Sequence, residues 1–146
     1  MKIKIKKLHP DAIVPIYATA GAACFDIHAV IDNDERAGSL LGGHVASIGT
    51  GLAFEVPPGF ALKLFSRSGH GLKGVSLANG TGIIDSDYRG ELKVLLINHS
   101  DDDVDINHGD RIAQAMIIPF EKVGFEVVEE LSETERGNGG FGSTGK

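Results

Sequence analysis

The stretch from Asn79 to Val94 reads NGTGIIDSDYRGELKV and concentrates groups that can do chemistry. Asp85 and Asp87 flank a single residue, so an extended backbone would turn both carboxylates to one side. Asp85 follows the apolar pair Ile83–Ile84. A carboxylate in that setting is a candidate general base, because partial burial fixes its position and tunes its proton affinity. Asp-Ser-Asp is equally good turn chemistry, and on composition alone a charged β-turn accounts for the same letters. Two other segments carry anion-binding groups. FSRSGHGLKG sets Arg67 and Ser68 against glycines, and GDRIAQAMIIP places Asp110, Arg111 and Gln114 at a strand entrance.

The chain ends in GFGSTGK, Gly140 to Lys146. The string matches the spacing of a phosphate loop, but that motif needs a helix after it and a Ser/Thr to hold magnesium, and neither follows. The donors remain: glycine amides with Ser143, Thr144, Arg136 and Lys146. A Gly/Ser tail of this composition also reads as disorder, against which stand the aromatic Phe141 and the arginine that starts the run.

These groups must be positioned by strands. Lys2, Lys4 and Lys6 alternate with Ile3 and Ile5, and further strand-like runs are CFDIHAV, HVASIGTGLAFEV, FALKLFS, ELKVLLIN, VDI, IAQAMIIPF and FEVVEEL. Gly, Pro, Asn and Asp clusters separate them, and one helical turn is expected near Ser68–Lys73. Many short strands between such turns predict an all-β sandwich, jelly roll or barrel. The domain is expected over residues 1–131, with an arm over 132–146.

At 146 residues the chain suits one domain with its own core. A formal net charge of −6 argues against a general nucleic-acid binder. No apolar run reaches the ~18 residues of a membrane span. The lone cysteine, Cys24, excludes an internal disulfide and fits a reducing, cytoplasmic setting. The six histidines show no metal-ligand spacing. Asp101–Asp103 with Asp105 lacks the bidentate glutamate of a calcium loop and reads as a solvated turn. Arg111 reads as a structural ion-pair partner, and the lysines of the first strand read as protection of a sheet edge.

Five segments together resemble the trimeric-type dUTPases: ACFDI (Ala23–Ile27), SRSGHGLKG (Ser66–Gly74), NGTGIIDSDYRGEL (Asn79–Leu92), GDRIAQAMI (Gly109–Ile117) and RGNGGFGSTG (Arg136–Gly145). They occur in the family's order over nearly the whole chain. Cys24 departs from the family's usual glycine, and ERAGSLLGGHV (Glu35–Val45) differs from the shorter, Pro-rich loop expected there.

The resemblance implies a jelly-roll or distorted β-barrel with a glycine-rich C-terminal arm. It also implies hydrolysis of dUTP to dUMP and pyrophosphate, which keeps uracil out of DNA and supplies dUMP for thymidylate synthesis. By the same resemblance Asp85 activates the attacking water, and Tyr88 packs under the deoxyribose and excludes a 2′-OH. Asn79 and the backbone at Ile83 and Ile84 read uracil, with Lys93 nearby. Arg67, Ser68, Gly69 and Gln114 hold phosphates, and Asp87 is structural. Phe141 stacks on the base while Arg136, Gly142, Ser143 and Thr144 close over the phosphates. Mg²⁺ is the implied cofactor, held mainly by phosphate oxygens, with Asp26 touching its shell through water. A homotrimer in which each arm closes a neighbour's site is the implied assembly. A dCTP deaminase-like enzyme and a protein-binding regulator on the same fold are the alternatives.

Overall fold

The computed structural model describes residues 1–32 and 38–143. It is built almost wholly of antiparallel strands: β1 (Lys4–Lys7), β2 (Phe25–His28), β3 (Ser39–Leu40), β4 (Val45–Gly49), β5 (Leu52–Glu55), β6 (Phe60–Phe65), β7 (Val75–Leu77), β8 (Gly82–Ile84), β9 (Lys93–Asn98), β10 (Val104–Asp105) and β11 (Arg111–Pro119). A single helical turn, α1 (Ser68–Gly71), lies where the glycine-flanked SGHG predicts one. The expected all-β, jelly-roll class is the observed one.

Two sheets carry the core. One has the order β2-β11-β6-β8 and the other β4-β9-β7, with the short pairs β1-β5 and β3-β10 at the margins. β9 shows how the pattern works. Val94, Leu96 and Asn98 point inward and are buried, while Lys93, Leu95 and Ile97 face out. Ile27, Leu52, Leu62, Leu92, Leu96 and Ile112 meet in one apolar cluster. Asn98 is fully buried and fully satisfied. Its Nδ2 donates to the carbonyls of Leu40 (3.0 Å) and Asp102 (2.7 Å), and its Oδ1 accepts from Ser100 N (3.0 Å) and Oγ (2.7 Å). That set pins the acidic Asp101–Asp103 turn, as buried polar groups must be paired.

HVASIGTGLAFEV does not run as one strand. It breaks at Thr50–Gly51, where Gly51 takes φ +63° and a Cβ would meet the side chains of His9 and Ala12. Only glycine accepts both that dihedral and that approach. Thr50 Oγ1 then donates to the Leu92 carbonyl at 2.7 Å and fixes the corner.

One predicted strand is absent. FEVVEEL has the alternation of a strand, but no residue of 120–131 is in a sheet and Phe125 and Val127 are almost fully exposed. A strand is completed by a partner edge, and this segment meets none among the described residues. The helical turn and VDI appear nearly as predicted. The short β3, β7 and β8 were not legible, being two or three residues long and enclosed by turn residues. β3 falls in the Glu35–Val45 loop, of which residues 35–37 lie outside the described residues.

Candidate functional site

β6 is the spine of the site. It pairs with β11 on one side and with β8 on the other, and different candidate residues collect at its two ends.

At its C-terminal end, Asp26, Gln114 and Phe65 lie directly opposite one another across β2, β11 and β6. Arg67 follows two residues after Phe65. Ser66 Oγ accepts the Leu77 N–H at 2.9 Å and so ties this end of β6 to β7. Arg67 Nε donates to Asp26 Oδ1 at 3.2 Å, and Arg111 Nη1 donates to Asp26 Oδ2 at 3.4 Å. Arg67 Nη1 also donates to the Arg111 carbonyl at 3.2 Å. The expected role of Arg111 as an ion-pair partner is thus realised, with Asp26, which the sequence did not name as its partner. Ser68 and Gly69 are exposed at the start of α1. The turn's internal bonds begin only with His70 N–H to the Arg67 carbonyl (3.0 Å), so the backbone ahead of it is placed to serve an outside acceptor.

Two histidines flank these cations. Burial pushes the pKa of His28 below the usual 6.5; Asp26 opposes this and Arg111 and Arg67 add to it. Burial also lowers that of His70, joined by Arg67 and Lys73 and opposed by Asp110. Nδ1 of each is buried without a hydrogen-bond partner. Neutral histidines leave two guanidinium groups facing one carboxylate, a local surplus of positive charge within an acidic protein. Sequence spacing gave no signal for either histidine.

At the other end, Ile83, Ile84, Asp85, Tyr88, Glu91, Lys93 and Leu95 line a cavity of about 290 Å³. β8 brings Ile83 and Ile84 against Lys63 and Leu62, and the turn after it carries Asp85 to the rim. Tyr88 folds back across Gly90, where any Cβ would overlap the ring, and its hydroxyl donates to the Glu91 carbonyl at 3.0 Å. Glu91 Oε1 accepts the Gly51 N–H at 2.9 Å and Oε2 lies 3.8 Å from Lys93 Nζ. The floor of this cavity is therefore tied to the barrel corner. Asp85 itself is exposed, not partly buried as its apolar neighbours suggested, because Ile83 turns outward as well. Asp87 is exposed in the turn. Asn79 is exposed in the preceding turn and does not line the cavity.

Neither Arg67 nor Gln114 reaches this cavity. Leu62, beside Ile84, and Arg67 are five residues apart on an extended strand, roughly 17 Å. The arm residues are apart from both ends. Arg136 is exposed and its carbonyl accepts the Gly139 N–H at 3.0 Å. Phe141 is fully exposed at φ +50°, the one non-glycine with positive φ among the described residues. Gly142 and Ser143 follow it in the turn, and Thr144 and Lys146 lie outside the described residues. Among those residues no cluster of three or more His, Cys, Asp or Glu is placed to hold a metal ion, and no helix is long and apolar enough to cross a membrane.

A family model described as dUTPase matches residues 11–145. A deoxyuridine 5'-triphosphate nucleotidohydrolase of Nautilia profundicola is 51% identical over the whole of both chains. One from Helicobacter hepaticus is 51% identical over 99% of this chain and 89% of its own. Among solved structures, a Staphylococcus bacteriophage 80alpha dUTPase variant with dUpNHpp superposes with a TM-score of 0.86 at 28% identity, covering 99% of each chain. A variant dUTPase from phage phi11 of S. aureus, described as revealing the coordination of a structural Mg(II) ion, shares the fold at 24% identity and a TM-score of 0.76, over 89% of this chain and 98% of its own.

Proposed function

Because the chain belongs to the dUTPase family, we propose that it is a dUTP diphosphatase, hydrolysing dUTP to dUMP and pyrophosphate. The observation that carries this reading is the cavity between Ile83 and Leu95, with an exposed carboxylate at its rim and a tyrosine ring folded across its wall. Asp85 holds a water molecule and takes its proton as the oxygen attacks the α-phosphorus in line. The bond to the bridging oxygen breaks and pyrophosphate leaves. Positioning and charge neutralisation supply most of the acceleration in such a displacement. No covalent intermediate is needed, so Ser68 binds and does not attack.

Discrimination divides among the same residues. Tyr88 fills the space a 2′-OH would need. Asn79 and the backbone at Ile83 and Ile84 read the uracil edge, with Lys93 beside them. Leaving a buried polar group unpaired by the wrong base costs about 1–3 kcal/mol. Arg67, Ser68, Gly69 and Gln114 take the phosphates. Phe141 stacks on the base while Arg136, Gly142, Ser143 and Thr144 close over the phosphates, with residues 132–146 acting as a strap, of which 144–146 lie outside the described residues.

The separation of the two ends of β6 supports a site assembled from several copies, and a homotrimer supplies the required meeting of one chain's cavity with the next chain's arginines. Exposed apolar residues support the same assembly: Val45 and Leu95 on the outward face of the β4-β9-β7 sheet, Ile83 on β8 of the other sheet, and Phe125, Val127 and Leu131 along the unpaired segment. Sedimentation velocity tests it, and a monomer that remains fully active would refute it.

Among the described residues no cluster of carboxylates or histidines is placed to cage a cation, which fits magnesium carried mainly by phosphate oxygens and water. Bound in that way, magnesium would offset the charge of the triphosphate. The single cysteine, Cys24, is free and supports a reducing, cytoplasmic setting. A deaminase is less well supported. Glu91, the glutamate at the cavity, has Oε1 committed to Gly51 N–H and Oε2 facing Lys93. Pyrophosphate release across dUTP, dTTP, dCTP and UTP, with and without Mg²⁺, tests the whole reading. Release confined to dUTP is expected, and ammonia from dCTP would overturn it.

A further inference from the structure

The cationic end of β6 contains more than a phosphate grip requires. Asp26 sits on β2 with its side chain 11% exposed, and each of its oxygens accepts from a different guanidinium. A carboxylate buried this deeply must be compensated, and two arginines compensate it in excess. The geometry on Arg67 is specific. Its Nε is held by Asp26 and its Nη1 by the Arg111 carbonyl, so the plane of the guanidinium is set from behind. Its side chain is 20% exposed, which leaves the remaining N–H groups a narrow opening toward solvent. An arginine fixed in this way has already lost the rotamer freedom that gripping an anion would otherwise cost.

We infer that Asp26 is a positioning residue for Arg67. It holds the guanidinium so that the free N–H groups form a ready-made grip for the triphosphate, and Arg111 braces the carboxylate from its other side. This adds phosphate affinity to the water-mediated magnesium contact that the resemblance implies for Asp26, since each of its oxygens accepts one hydrogen bond and keeps a further lone pair. The inference rests on the proposed reading of Arg67 as a phosphate ligand.

The sign of one substitution separates the possibilities. Removing a negative charge beside an anion site strengthens anion binding if the charge acts only through its field. Loss of the anchor weakens it. The experiment measures equilibrium binding of dUpNHpp in EDTA to the wild-type protein, Asp26→Asn, Arg67→Gln and the double variant. Steady-state kinetics in Mg²⁺ accompany it. The expected result is binding about tenfold weaker for Asp26→Asn without metal, the scale of one charge-assisted hydrogen bond. The double variant should be no worse than Arg67→Gln alone, with the loss in KM rather than kcat. Unchanged or tighter binding in EDTA, with a higher Mg²⁺ requirement, would overturn the inference in favour of a metal role.

A second measurement needs no variant to fold. In the wild-type protein without nucleotide, the Arg67 Nε–H resonance should exchange slowly with water, and rapid exchange would overturn the anchor. Slow exchange in a protein that does not bind dUpNHpp would leave the anchor standing and remove the functional reading instead.

Discussion

The two ends of β6 are prepared differently. At the arginine end, charges are paired before any ligand arrives: Asp26 is largely buried and engages both guanidinium groups. At the cavity end, Asp85 is exposed, and among the described residues only its backbone carbonyl is engaged, by the Tyr88 N–H at 3.2 Å. The difference fits the roles proposed for the two ends. Holding a polyanion demands fixed, oriented donors, whose cost is met on folding. Activating water demands a carboxylate whose lone pairs are available when substrate arrives.

The sharpest way to break this comparison is Asp85→Asn. Its exposure means that the fold should be untouched, while kcat falls by about 10²–10⁴-fold, the range of a lost general base. Near-wild-type turnover in a stopped-flow assay would show that the base lies elsewhere. Leu62→Ala attacks what the two ends share. Leu62 is wholly buried mid-strand between β11 and β8, so a loss of about 2–5 kcal/mol is expected in urea unfolding, with both ends loosened together. Deleting residues 136–146 removes Phe141, and the loss of about 1–3 kcal/mol of stacking translates to roughly five- to 150-fold in kcat/KM. A fully active truncated enzyme would discard the strap.

Tyr88→Ala sharpens the cavity end. The ring folded over Gly90 would no longer exclude a 2′-OH, so the dUTP to UTP preference should fall by about tenfold. The smallest effect lies at the arginine end. The pKa of His70 is lowered in the folded state, so its contribution to stability is complete above about pH 6.5. That contribution is lost as pH falls through the folded value, because the unfolded chain binds the proton more readily. His70→Gln should flatten the decline in Tm on acidification, and an identical pH profile would show that His70 does not contribute.

Much of this was legible along the chain. Alternation in KVLLIN marks β9 with the correct faces, and the glycines around SGHG place α1, because side-chain period and turn dihedrals are local properties. The limit shows in FEVVEEL, which has the same alternation as β9 and forms no strand here. Pattern states which face a strand would bury, but hydrogen-bond partners state whether it exists. The apolar pair before Asp85 misled for a related reason: adjacency to Ile83 implies burial only when Ile83 points inward.

The sequence by itself determined the all-β class and the turns, since these depend on composition and spacing within a few residues, and its five ordered segments carried the family resemblance from which the site roles are proposed. Only the tertiary structure decided that Asp26 meets Arg67 and Arg111, 41 and 85 residues away, and that the arginines and the cavity occupy opposite ends of one strand. Pairing across β2, β11, β6 and β8 brings distant segments into register. That register is set by the summed packing of a common core, which no single stretch of chain encodes.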